Sequence, residues 1–256
     1  VAGSGATTLA LLLSLVLAGC GSGPAAAPAT PVPATPANGT VVDRTLPAAL
    51  TGLAFTDPQG RTVTLAGLRG KTLVVTDFLT TCAEICPMTT VNFGQVADAA
   101  RTAGLGGDLA LLEITVDPER DKPARLAAYQ RLFGPVRPNL TFLTADAADI
   151  AQFWNGLGVA YFRQPPGSPP PKDWLTGKAL SYDVAHQNVV FLIDGQGRER
   201  WLVEGAPSTG GAPPPPALLR FLSADGRRGL ATPEQPDWTA QDVEAAVTWL
   251  TGHRLG

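Results

Sequence analysis

The 256-residue chain holds only two histidines, one methionine and three cysteines, and charged residues make up just 16% of it. Cys82 and Cys86, the one close pair of cysteines, are too few for an iron–sulfur cluster, and no CxxC set exists for a structural zinc site. No run of Lys or Arg occurs and the formal net charge is −3, which excludes nucleic acid as a partner. No apolar stretch is long enough to cross a bilayer, because Leu9 to Leu17 falls well short of the ~20 residues that a spanning helix needs. Apolar residues nevertheless make up 45% of the chain, enough for a real core and too many for a disordered protein. The 24 prolines and 28 glycines cluster at the N-terminus, near residues 164–171 and near residues 209–216, where they mark linkers and loops.

The first 19 residues read as an export signal, with the apolar run followed by small residues. Leu17-Ala18-Gly19-Cys20 resembles a bacterial lipobox, so Cys20 is the expected lipidation site and the membrane anchor. The expected location is the extracytoplasmic face of a bacterial cell membrane. A signal normally opens with Met and a basic stretch, but here Val1 comes first and no Lys or Arg precedes Arg44, so the true start is expected to differ. Residues 20–42 carry almost no large apolar side chain after Cys20 and form a tether, which leaves residues 43–256 as a single folded domain. With Cys20 lipidated, the remaining thiols are one pair, Cys82 and Cys86.

Within the domain, Leu53–Phe55 and Arg61–Leu65 flank the turn Asp57-Pro58-Gln59-Gly60 and predict a hairpin. Thr72–Leu79 and Leu109–Val116 are β-rich runs with little alternation, as expected of strands buried on both faces. Phe93, Val96, Ala97 and Ala100 lie at helical spacing, which predicts a helix from about Pro87 to Ala103. Asp121 is placed to cap a helix whose Leu126, Tyr129, Leu132 and Phe133 face the core. Leu140–Leu143 reads as a strand, and Asp146 opens a helix that ends near Gly156–Gly158. A Pro-rich loop, residues 164–182, precedes a last hairpin in which Asn188–Ile193 and Arg198–Val203 flank Asp194-Gly195-Gln196-Gly197. Val243, Ala246, Val247 and Leu250 give a final helix its apolar stripe, whereas residues 205–238 show no clear periodicity. Strands alternating with helices, then a hairpin and a helix, predict an α/β fold: a central mixed sheet with helices on both faces and an N-terminal hairpin extension.

The chemistry gathers in Thr81-Cys82-Ala83-Glu84-Ile85-Cys86-Pro87, which joins a buried strand to a helix. Cysteines at i and i+4 across a helix N-terminus share one side of that turn, and the positive end of the helix favours thiolate. Such a pair either closes a disulfide or clasps a soft metal, and spacing alone does not choose. His186, in Tyr182-Asp183-Val184-Ala185-His186-Gln187-Asn188 at the entry to the last hairpin, would complete a two-sulfur, one-nitrogen site, or serve only as a loop residue bonded to backbone. His253 lies at the end of the last helix and suits its C-terminus. Met88 reads as a packed first-turn helix residue rather than a fourth ligand. Asp117 and Asp121 are placed to shape the site without binding metal.

From about residue 48 to 204 the chain resembles the SCO (SenC) family of copper chaperones. The resemblance rests on the CxxxCP segment at Cys82–Pro87, on Val116-Asp117-Pro118-Glu119-Arg120-Asp121, on Trp174-Leu175-Thr176-Gly177, and on the single His186 before a strand ending Leu192-Ile193-Asp194. It implies a thioredoxin-like fold, one copper ion, Cu(I) or Cu(II), held by Cys82, Cys86 and His186, and help in building the binuclear copper centre of cytochrome c oxidase. Subunit II of that oxidase is the implied acceptor, and the protein is then a metallochaperone rather than an enzyme. Ala83 and Glu84 stand where the family usually has Pro and Asp, and residues 205–238 are unusual for it. Three alternatives share the fold: a thiol–disulfide oxidoreductase in which Cys82 and Cys86 reduce acceptor cysteines, a structural binding module, and a peroxidase resolved by Cys86.

Overall fold

The computed structural model describes residues 1–3, 5, 34–231 and 237–255. Two compact units divide the chain, residues 1–31 and 32–256. The first lies almost wholly outside the described residues, and with it Cys20 and the expected signal.

In chain order the second unit runs β1 (Thr40–Thr45), α1 (Ala48–Thr51), β2 (Phe55–Thr56), β3 (Thr62–Val63), β4 (Thr72–Phe78) and α2 (Cys86–Thr102). Next come β5 (Leu109–Thr115), α3 (Pro123–Gln130), β6 (Leu140–Leu143), α4 (Ala147–Leu157), β7 (Tyr161–Gln164) and β8 (Asp183–His186). The remainder is β9 (Val189–Ile193), β10 (Arg198–Glu204), β11 (Pro207–Ser208), α5 (Pro216–Leu219), α6 (Ala224–Ala231), β12 (Trp238–Thr239) and α7 (Ala240–Thr251).

Six strands form the central sheet in the order β1-β10-β9-β4-β5-β6. β4, β5 and β6 are mutually parallel, while β9, β10 and β1 add antiparallel to the other side. Alternate residues of β4 feed opposite faces, as the strand period requires. Leu73 and Val75 join a core with Leu126, Tyr129, Phe153 and Trp154 of α3 and α4. Val74 joins the core formed with Phe93, Val96 and Ala97 of α2 and Val243, Ala246 and Val247 of α7. Each fully buried large side chain here contributes about 1.5–3 kcal/mol. The result is the thioredoxin-like arrangement, with helices on both faces of a mixed sheet.

Local signals act as expected at several ends. Asp146 caps α4 by accepting from the Asp149 N–H at 2.9 Å, and Gly158 closes it in the left-handed conformation. Thr239 and Asp242 form a reciprocal capping box at the start of α7. β2 and β3 pair antiparallel as the predicted hairpin, with the Asp57 carboxylate accepting from the N–H groups of Gln59 and Arg61 across the turn.

Three expectations are corrected. Asp121 does not cap α3: Lys122 occupies the N-cap without a side-chain bond, Pro123 has no N–H that would need an acceptor, and the Asp121 carboxylate is held by Thr80 and Thr115 instead. Leu132 and Phe133 pack against the core as expected, but they lie beyond α3, on a short 3₁₀ turn. His186 is not in a loop but ends β8, which pairs with β7 as a separate ribbon, Tyr161 opposite His186.

Candidate metal centre

β4 and β9 lie side by side, so the turn after β4 and the approach to β9 reach the same end of the sheet. Leu79 to Ile85 forms that turn, with the Cys82 N–H bonded to Leu79 O at 3.2 Å, and Cys86 begins α2. The Cys86 N–H points at Cys82 Sγ, 3.4 Å away, as an exposed helix-terminal donor should at a thiolate. From one hundred residues further along the chain, His186 Nε2 comes within 3.5 Å of Cys86 Sγ. The three potential ligand atoms lie within 4.8 Å of one another. Cys82 is half-buried, Cys86 is buried, and both are free thiols. The His186 side chain is 5% exposed.

Asp77, on β4, orients the imidazole. Its Oδ2 pairs with His186 Nδ1, and its Oδ1 accepts from the Val189 N–H at 2.8 Å. Gln187 O, 2.8 Å from the same Nδ1, reinforces a proton there and leaves Nε2 facing the sulfurs. Burial works against a charged imidazole, but the hydrogen bonds and negative charges of Asp77 and Cys82 outweigh it and push the His186 pKa up to about 10. The two thiols are driven apart. The hydrogen bond from Cys86, against burial and with help from His186, brings Cys82 well below the usual thiol range. Burial and the neighbouring Cys82 push Cys86 well up.

The motif from Val116 to Asp121 supplies struts. The Thr80 N–H donates to Asp121 Oδ2 at 3.1 Å and the Thr115 hydroxyl donates to it at 2.7 Å, which ties the start of the cysteine turn to the end of β5. Arg120 pairs with Asp117, donates to Tyr182 O at 3.0 Å and lies 3.9 Å over the Tyr182 ring, so it anchors the chain just before His186. Arg125 grips Asp173 through two bonds of 2.9 and 3.0 Å and bonds the Thr80 hydroxyl, while Trp174 packs on Tyr129. The family-like segments are therefore one scaffold beneath the site.

The cluster unites Cys82, Cys86 and His186 and leaves the other candidates outside. Met88 is buried, and His253 is exposed beyond α7, its N–H bonded to Thr251. Asp117 and Asp121 act as struts rather than as members of the cluster. Sequence reading missed Asp77 and Glu113, each fully buried in a central strand. A lone acid in an apolar strand was the available signal, because a buried carboxyl needs a partner. Glu113 accepts from the Thr90 hydroxyl at 2.7 Å, one helical turn beyond Cys86, and its other oxygen has no partner among the described residues. Burial pushes its pKa up to about 8 despite the Thr90 bond. A cavity of about 260 Å³ opens beside Cys82 and His186, with Glu84, Asp183, Gln164 and Ser223 on its walls.

Two thiols and an imidazole suit a soft cation, and two thiols alone suit disulfide exchange. A family model described as SCO1/SenC matches residues 47–209. Protein SCO2 homolog, mitochondrial, of Bos taurus is 32% identical over 141 residues, covering 55% of this chain and 48% of its own length. The chain spans about half the length of most curated relatives it matches. Among solved structures, a putative electron transfer protein from Aquifex aeolicus VF5 is similar with a TM-score of 0.50 and 19% identity, over 64% of this chain and 84% of that one. ScoI of Bradyrhizobium japonicum, solved with copper bound, has a TM-score of 0.49 and 25% identity, over 73% of this chain and all of that one.

Proposed function

Since the chain belongs to the SCO1/SenC family, we propose that it binds one copper ion through Cys82, Cys86 and His186 and hands it to the binuclear copper centre of cytochrome c oxidase, with subunit II as acceptor. The observation that carries this reading is the convergence of both sulfurs and His186 Nε2 within 4.8 Å. Thiolate ligands favour copper(I), imidazole accommodates either oxidation state, and three protein ligands leave a position through which an acceptor can exchange its own. Cys82, Cys86 and His186 would hold the ion, and Asp77 keeps the Nδ1 proton in place so that the Nε2 proton is the one copper displaces. The struts at Asp117, Arg120 and Asp121 hold the two ligand segments at one end of the sheet.

Copper titrated into the reduced protein is expected to bind at one equivalent. The protein oxidised to the Cys82–Cys86 disulfide is expected to bind none tightly, because the disulfide removes both thiolates. Equal stoichiometric binding by the oxidised form, with loss of thiols verified by alkylation, would refute the assigned ligands.

A second reading, thiol–disulfide exchange, is favoured by the asymmetry of the pair, an accessible low-pKa Cys82 beside a buried high-pKa Cys86. In that reaction the Cys82 thiolate attacks an acceptor disulfide and one acceptor thiolate leaves. Cys86, losing its proton, then attacks the mixed disulfide and releases the second thiolate. The acceptor gains two electrons and the protein ends with a Cys82–Cys86 disulfide. The protein works, on this proposal, at the extracytoplasmic face of a bacterial membrane, held by lipid on Cys20. Cell fractionation of Cys20→Ala should move it from the membrane to the soluble fraction, and undiminished membrane association would count against the anchor.

A further inference from the structure

The match to the family ends at residue 209, and the chain then makes an excursion before α7. β11 and β12 close the base of that excursion as a parallel pair, Pro207 with Trp238 and Ser208 with Thr239. Two further bonds lock the base: the Trp238 indole N–H donates to Gly205 O at 2.9 Å, and the Ala206 N–H donates to Asp237 Oδ2 at 2.7 Å. A segment fixed at its root and carrying α5 and α6 is placed rather than trailing.

That placement brings it onto the cysteine turn. Leu218 of α5 is 4% exposed and belongs to the same core as Phe78, Leu79 and Cys86. Leu222 is buried as well. The Ser223 N–H donates to Ala83 O at 2.8 Å, and its hydroxyl accepts from the Gly226 N–H at 3.0 Å, which starts α6 against the turn. Gly226 has no room for a side chain: a Cβ there would lie 2.5 Å from Ala83 O and 3.0 Å from Glu84 Cα. One turn further along α6, Gly229 faces Met88 of α2, whose Cε lies 3.8 Å from where a side chain would begin. Ala83 and Glu84 lie between the two cysteines of the CxxxC turn.

We propose that residues 216–231 brace the Cys82–Cys86 turn, with Ser223 and Gly226 as positioning residues that fix the backbone of Ala83 and Glu84 and so hold the two thiols at their working separation before any ion or acceptor arrives. A proline after the first cysteine would restrict the turn from within, through its own ring. Here the restriction comes from outside, through a hydrogen bond to Ala83 O and a backbone contact only glycine permits. A turn held in place does not have to be ordered when it binds, which favours tight binding and controlled reactivity. Because Ser223 also lines the cavity beside Cys82, the brace forms one wall of the site.

The proposal rests on Cys82 and Cys86 being the reactive pair, and its test reads the turn itself, so it stands or falls independently of copper. The reduced, metal-free protein is compared with Gly226→Val and with a chain in which residues 212–235 are exchanged for a Gly-Ser linker of equal length. Amide exchange at residues 83–86 and alkylation of Cys82 by iodoacetamide should each rise by about tenfold or more in both variants, because local opening then no longer has to break the brace. Copper dissociation, followed in parallel with a chromophoric chelator, should quicken in the same variants. If exchange and alkylation match the wild type in the folded Gly226→Val protein, the brace is refuted, whatever the copper result. If the linker chain fails to fold, Gly226→Val decides alone. If neither protein nor variant binds copper but the turn loosens as expected, the brace holds and the copper reading fails.

Discussion

His186→Ala is expected to weaken copper binding by more than the roughly 10–100-fold that loss of an outer-shell partner causes, because a ligand is removed and not merely reoriented. Asp77→Asn should fall within that roughly 10–100-fold range, since Nε2 stays in place while the carboxylate that fixes the Nδ1 proton becomes a neutral amide that can flip. The order His186→Ala, then Asp77→Asn, then wild type is the signature of a site in which Asp77 acts through the histidine. The same pair separates the two functional readings. Thiol exchange depends on thiolate fraction, nucleophilicity and access, so a reductase would still reduce acceptor disulfides without His186, whereas Cys82→Ala is inactive under either reading. Competition against a copper chelator measures the affinities, and oxidase activity in cells at limiting copper measures delivery. Wild-type oxidase levels with His186→Ala would end the chaperone reading in favour of the reductase.

Glu113→Gln is expected to stabilise the protein at alkaline pH and to leave it little changed below pH 5. In the unfolded chain a glutamate titrates near its ordinary value of 4.5, while in the fold burial pushes the pKa up to about 8. Between those values the folded protein keeps a proton that the unfolded chain has lost. Stability contributed by this site is therefore complete below about 4.5, falls as pH rises and levels off above about 8. Each pH unit in that window costs about 1.4 kcal/mol, so the whole span is on the order of 5 kcal/mol. Glutamine keeps an acceptor for the Thr90 hydroxyl and carries no titrating proton, so the difference between variant and wild type isolates Glu113 from His186 and Asp121, which also titrate. Urea unfolding of the reduced, metal-free proteins from pH 5 to pH 9 gives the two curves. Parallel curves would show that Glu113 keeps an ordinary pKa in the fold.

Much of the scaffold was legible because it depends on local rules. The β-rich runs at Thr72–Leu79 and Leu109–Val116 carry too little polarity to be anything but central strands, and Thr72–Phe78 and Leu109–Thr115 are the parallel pair at the middle of the sheet. Asp146 and Gly158 bound α4 because a cap and a left-handed stop are properties of single residues. The CxxxC turn could be placed at a helix N-terminus for the same reason, since Pro87 and the stripe of Phe93, Val96, Ala97 and Ala100 define where the helix starts.

Residue type and spacing thus determined which side chains are capable of chemistry, Cys82, Cys86 and His186, and the elements that carry them. Asp121 shows the limit of that logic: by spacing it was a helix cap, yet the nearness of Thr80, forty-one positions earlier, turned it into a strut. Tertiary structure alone decided that β4 and β9 are neighbours, which brings His186 to Cys86, and that Asp77 meets the imidazole rather than water. It alone seated Ser223 and Gly226 on the cysteine turn. Periodicity reports only how a residue relates to its own helix or strand. A contact across a hundred residues depends on strand order and on which surfaces exclude water together, and those are settled when the whole chain packs.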